Sequence, residues 1–156
     1  MSARSEAAEQ TDLELVITRV FDAPRDLVWR AWTEPERMAQ WFGPRGFTSA
    51  IERSDLRPGG AYRIYMRGPE RDDHWMQGVF REVVPPHRLV MAGSWADALG
   101  KPTGAETLLS IVLEEQGAKT KLTLHQTGFE SVTSRDQHNH GWNSSFDCLG
   151  DYLAAA

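Results

Sequence analysis

Between Phe47 and Gln126 the chain shows no helical period, only short runs rich in branched and aromatic residues separated by turn chemistry. This stretch constrains the fold most. Its connections are too short for the crossovers that parallel strands need, so the runs must pair antiparallel. FTSAIERSDL comes first and is ended by Arg57-Pro-Gly-Gly60. AYRIYMR follows, with Tyr62, Ile64 and Met66 on one face and Arg63, Tyr65 and Arg67 on the other. HWMQGVFREV is ended by Pro85-Pro86, and HRLVMAGSW leads into a polar connection over 96–104. ETLLSIVLEE and KTKLTLHQT read as a hairpin around Gln116-Gly117.

LELVITRVF, Leu13 to Phe21, adds a strand at the front, for about seven in all. The period then changes. Asp22-Ala-Pro24 predicts a capping side chain before a proline in the first turn of a short helix through LVWRAW. Thr33-Glu-Pro-Glu36 has the form of a capping box and predicts a second short helix, running to about Trp41 before Gly43-Pro44 stops it. After Gly128 the helical period returns. Ser134-Arg-Asp-Gln137 is a second capping-box pattern, and His138, Trp142, Ser145, Phe146, Leu149, Tyr152 and Leu153 share one broad face. About 19 residues at 1.5 Å each reach about 28 Å, enough to cross a small sheet. The economical packing is α+β: a curved antiparallel sheet of about six to seven strands around a long carboxy-terminal helix, with the short helices closing one end.

With 156 residues, 40% apolar and 25% charged, the chain has the length and composition of one globular domain. We expect a disordered tail over 1–12 and a single domain over 13–156. The net charge is -5, from 22 acidic and 17 basic side chains, which supplies no electrostatic footprint for nucleic acid or an anionic membrane. Cys148 is the only cysteine, so no intrachain disulfide and no thiolate metal cage can form, and a reducing compartment fits. The opening MSARSEAAEQTD lacks the apolar run of a signal peptide, and no stretch approaches the roughly 18 apolar residues of a membrane span. The expectation is a soluble cytoplasmic protein.

The order of elements resembles the helix-grip fold of START-like and birch-pollen-allergen-like proteins. The local motifs are similar to those of the activator of heat-shock protein 90 ATPase homologue-like family in its short bacterial form. They are Arg19-Val-Phe-Asp-Ala-Pro24, Val28-Trp-Arg-Ala-Trp-Thr-Glu-Pro35 running on to Trp41-Phe-Gly-Pro44, Asp55-Leu-Arg-Pro-Gly-Gly60, Gly78, Pro85-Pro-His-Arg-Leu-Val90 and His138-Asn-His-Gly-Trp142 with Leu149 beyond. Each is weak, while their order and spacing over about 13–153 are specific. The resemblance implies a cavity between sheet and last helix, which in the wider fold holds lipids, hormones or polyketide intermediates. Fold does not decide function, so the site is argued separately.

His138 and His140 are two apart, roughly 200° around a helix, and cannot share an ion, so no metal and no cofactor is expected. His138 and Trp142 share a face, packed against the sheet or also touching a ligand, with Gly141 allowing something to approach the helix closely. Tyr62, Ile64 and Met66, with Met76, Met91, Trp95 and Phe146, are the candidates for an apolar cavity lining, and ordinary core is the competing reading. Arg63, Arg67, Arg81 and Lys121 lie on the opposite faces and read as solvated. Trp32 reads as core. Trp41 and Phe42 fall where the resemblance puts the cavity mouth.

No GxSxG, P-loop or GxGxxG motif occurs, so no catalytic residue is assigned. Cys148 lies ten residues from His138, about 15 Å along a helix, too far for a thiol and its base. Glu106, His125 or His74 acting with Tyr62 is the remaining way to assemble acid–base chemistry. Three functions follow: a binder of an apolar or aromatic small molecule, a protein-interaction module of co-chaperone or stress-response type, or a cyclase or hydrolase working in the same cavity. A homodimer and a chaperone are the protein partners to consider. The twelve residues before Leu13 cannot form the extra domain through which the eukaryotic co-chaperone engages its partner.

Overall fold

The computed structural model of the protein describes residues 13–156, and the tail expected over 1–12 lies outside them. Seven strands form one sheet: β1 Glu14–Phe21, β2 Thr48–Ser54, β3 Ala61–Arg67, β4 Asp73–Val84, β5 Arg88–Ala96, β6 Thr107–Gln116 and β7 Lys119–Thr127. Every neighbouring pair is antiparallel, in the order β1-β7-β6-β5-β4-β3-β2. The β6–β7 hairpin turns where expected. Gln116 pairs with Lys119, and Gly117 takes φ +65°, the left-handed conformation that a two-residue hairpin loop needs.

Two short helices, α1 Arg25–Thr33 and α2 Pro35–Met38, follow β1, and a 24-residue helix, α3 Val132–Ala155, ends the chain. Alternation decides which side of the sheet meets α3. Leu15, Ile17 and Phe21 of β1, Tyr62, Ile64 and Met66 of β3, and Leu109, Ile111 and Leu113 of β6 are all buried. From α3 come Trp142, Phe146, Leu149 and Leu153, at spacings of three and four, to fill the concave side. Trp32 of α1 closes this core, with its ring 6.0 Å from that of Trp142 and 6.2 Å from that of Phe146. A curved antiparallel sheet gripping one long helix is the helix-grip fold.

The helix starts differ from expectation. Pro24 itself is the N-cap of α1, and Asp22 makes no cap. Thr33 does not open α2: it ends α1, where its hydroxyl donates to the Trp29 carbonyl at 2.9 Å, and α2 stops at Met38. Glu34 caps α2 and Pro35 takes its first position, so proline set the boundary where a side-chain cap was expected. On α3 the cap lies one turn earlier than Ser134. The Ser131 hydroxyl accepts from the Ser134 backbone N–H at 3.1 Å, which lengthens the helix at its start. Serines at 131 and 134 can each cap, and the first is used.

Arg63 is not a solvated surface cation. Its guanidinium donates to Glu52 at 2.9 Å, to Gln77 at 2.6 Å and to the carbonyls of Asp97 and Ala98 at 3.1 Å each. Gln77 in turn donates to the Gly100 carbonyl at 2.6 Å. Together they tie the β5–β6 connection to the sheet. Arg19, on the inward side of β1, reaches α3 through Asp147 at 2.6 Å and stands over the Phe146 ring at 5.8 Å.

Candidate functional site

β6 pairs with β5 only as far as Gly93–Thr107, and β5 continues towards Ala96 paired with β4 but not with β6. This leaves a gap between the end of β5, the 97–106 connection and the start of α3. A cavity lies behind it. Its buried walls are Trp32, Phe42, Tyr62, Met91, Leu109 and Phe129, and the half-buried or exposed Met76, Trp95, Gly104, Ala105, Glu130 and His138 stand nearer the outside. Its free volume is about 40 Å³, room for one or two waters.

The polar groups around it are ordered by hydrogen bonds. His138 uses both ring nitrogens: Nδ1 is 2.7 Å from the Ser134 carbonyl, and Nε2 accepts the Trp95 indole N–H at 3.1 Å. A carbonyl cannot donate, so the proton sits on Nδ1 and the ring is neutral when it accepts from Trp95. His74, Trp95, His138 and Phe129 form a row of edge-to-face and tilted rings. Gln126 donates to Thr107 at 3.0 Å and accepts from the Trp142 indole at 2.8 Å, which satisfies its buried amide at both ends.

Tyr62 occupies a seat made by two glycines. It pairs with Gly78, which pairs with Gly93, and all three lie in one row of the inner face. A Cβ on Gly93 would collide with the Tyr62 hydroxyl and the Gln77 carbonyl. Burial pushes the Tyr62 phenol well above its ordinary value, and the negative charge of Glu106 adds to this. A phenol that holds its proton more tightly when folded stabilises the fold fully below the unfolded value of about 10 and loses that contribution as pH rises past it. We therefore expect wild-type stability to fall more steeply above about pH 10 than that of Tyr62→Phe. Urea unfolding at pH 9 and pH 10.5 checks this, and parallel slopes for the two proteins would sink it.

Of the residues expected from the sequence, the structure brings Tyr62, Met76, Met91, Trp95, His138 and Phe42 to the cavity. Ile64, Met66, Trp41, Trp142 and Phe146 are buried but do not line it. Met66 packs at the Gly43 end of β3, the Trp142 indole is held by Gln126, and Phe146 lies among Phe21, Trp32 and Trp142. Trp41 and Phe42 do not stand at an open mouth. They are 2% and 5% exposed, and the Trp41 indole donates to the Ala31 carbonyl at 2.9 Å. Gly141 meets only the Pro44 ring, at an ordinary 3.8 Å, so no close approach requires it.

Neither His125 nor His74 pairs with Tyr62. His125 is exposed and 3.1 Å from Glu14, and His74 bonds Asp72. Gln126 and Phe129 were missed. Gln126 did leave a signal, a polar residue at the inward position after Leu122 and Leu124, whereas Phe129 sits in an irregular turn that no period predicts.

The sequence model of the family described as Activator of Hsp90 ATPase homolog 1-like protein matches residues 22–154. Among curated proteins none matches the chain. Among solved structures, a Chromobacterium violaceum protein is 25% identical, with 90% of this chain and 96% of that one covered and a TM-score of 0.82. An Arthrobacter aurescens protein is 25% identical over 94% of this chain and 88% of its own, with a TM-score of 0.84. A Nitrosomonas europaea protein is 28% identical over 92% and 96%, with a TM-score of 0.77. Matched over most of its length and folded as these proteins are, the chain belongs to the Activator of Hsp90 ATPase homolog 1-like family.

Proposed function

We propose that the domain binds a small, largely apolar molecule in the cleft between the sheet and the start of α3. The observation that carries this reading is the make-up of the cleft. Aromatic and thioether side chains from α1, three strands and α3 converge there with few polar groups and no lysine or arginine. Small-molecule sites usually offer about 300–1,000 Å³, far more than the space found, so we read the cleft as closed. Entry then requires the short stretch 104–106 and the segment 128–131 to move outward while the sheet, with 97–103 tied to it, stays in place. Among the described residues no helix is long and apolar enough to cross a membrane. We propose the cytoplasm as the setting, supported by the single cysteine.

Native mass spectrometry of the protein purified gently from its host tests the reading. We expect a discrete added mass that is lost on unfolding. A clean unliganded mass, together with no thermal stabilisation by any of a panel of aromatic and aliphatic compounds, would remove the proposal.

A second reading, a protein-interaction module, has one observation of its own. Val16, Val20 and Leu108 are 62%, 49% and 42% exposed on the outer face of the sheet, beside an open groove lined in part by Arg81, Glu82 and Arg88. The same spectra separate the two readings, since a protein partner adds kilodaltons rather than a small mass.

A further inference from the structure

Among the buried residues of the cavity wall, two carry a hydrogen-bonding group that no other described residue pairs with. Trp32 is 3% exposed, and its indole N–H is buried with no acceptor. Trp41, Trp95 and Trp142 each deliver the same group to an acceptor within 3.1 Å. Tyr62 is 6% exposed, and among the described residues its hydroxyl has no hydrogen-bond partner, although unlike the Trp32 N–H it is not fully sealed off. Both residues belong to the inner wall of the one cavity. A buried N–H without a partner costs about as much as a lost hydrogen bond, so native proteins rarely keep one that nothing fills.

The remaining wall narrows what fills it. His138 has spent both nitrogens, and the Gln126 amide is already engaged at its nitrogen and at its oxygen. Among the described residues the lining holds no lysine or arginine, and its one carboxylate, Glu130, is exposed. An anion would meet no counter-charge there. Ser94, Thr107 and Ser134 add hydroxyls on half-buried residues; on its buried residues the wall offers, beside the paired Gln126 amide and apolar side chains, one N–H donor and one hydroxyl. Their complement is a single oxygen acceptor that carries no charge.

We infer that the ligand is a neutral apolar molecule bearing a carbonyl-type oxygen, which accepts hydrogen bonds from the Trp32 indole and the Tyr62 hydroxyl. The inference rests on the ligand-binding reading above and adds the chemical class. The space now present takes such an oxygen, and the apolar body of the molecule lies outward, against the half-buried Met76 and Trp95.

Three probes of one shape test it on the full chain: 2-acetylnaphthalene, 2-ethylnaphthalene and 2-naphthoate. Affinities come from titration, and the Trp32 indole resonance is followed by proton–nitrogen correlation spectra. We expect the ketone to bind about tenfold tighter than the hydrocarbon, as one to two buried hydrogen bonds provide, and tighter than the anion. The Trp32 resonance should shift with the ketone alone. Tyr62→Phe should lower the ratio of ketone to hydrocarbon affinity about fivefold. Equal affinities for ketone and hydrocarbon, tightest binding of 2-naphthoate, or an unmoved Trp32 resonance overturn the inference while the ligand-binding reading stands. Such results would leave ordered water as the partner of the two groups. Failure of all three probes to bind up to their solubility removes the ligand-binding reading together with the inference.

Discussion

Phe146→Ala is expected to cost about 3–5 kcal/mol of folding free energy. Phe146 is fully buried, at 0% exposure, where β1, α1 and α3 meet. Its ring lies 6.1 Å from Phe21, 6.2 Å from Trp32 and 5.8 Å from Trp142, two of these at steep angles and one tilted. Arg19 covers another side. The rings around it belong to three different elements and cannot collapse together into the space left by the phenyl group, so the transfer loss and the cavity loss add. A domain of this kind has about 5–15 kcal/mol in all, so the variant should sit close to unfolding. Equilibrium denaturation with guanidinium reads the effect. A loss under about 1 kcal/mol would mean that this face of α3 is loosely packed, as a ligand-facing wall would be.

The second large effect is expected from Gly78→Ala, at about 3 kcal/mol or more, the upper end of overpacking costs. Gly78 faces Gly93 across the β4–β5 pair, and a Cβ at 78 would run into the Ala92 carbonyl and the Gly93 Cα, both main chain. Main chain in the middle of a seven-stranded sheet has no room to yield. The strands would have to part at the row that seats Tyr62, and the change should register both as lost stability and as altered aromatic circular dichroism. Gly141→Ala is the control. That glycine lies inside α3 with only the Pro44 ring nearby at 3.8 Å, so alanine should stabilise by about 0.5–1 kcal/mol. If both variants changed stability alike, the tight approach of β4 and β5 would not be real.

The elements were legible because each has a local cause. Tyr62, Ile64 and Met66 alternate because a pleat has a period of two, and the structure buries all three. Trp142, Phe146, Leu149 and Leu153 recur at the period of a helix and are buried on one face of α3. Gly117 had to turn a hairpin, since it stands between two strand-like runs with no room for a longer loop. Helix starts were less legible. Thr33 and Ser134 have the chemistry of caps, but a neighbouring proline in one case and an earlier serine in the other took the position.

By itself, then, the sequence determined the order and kind of its elements, the antiparallel pairing and the inward faces, because these depend on periodicity and turn chemistry within a few residues. Only the tertiary structure decided which inward residues meet a cavity and which meet one another. Met66 and Met76 follow the same strand logic, yet one is packed at the Gly43 end of β3 and the other lines the cavity. The unpartnered Trp32 indole could not be foreseen either. Whether an N–H finds an acceptor depends on groups from other elements, placed by the curvature of the sheet and the path of α3, and that is long-range geometry no local pattern encodes.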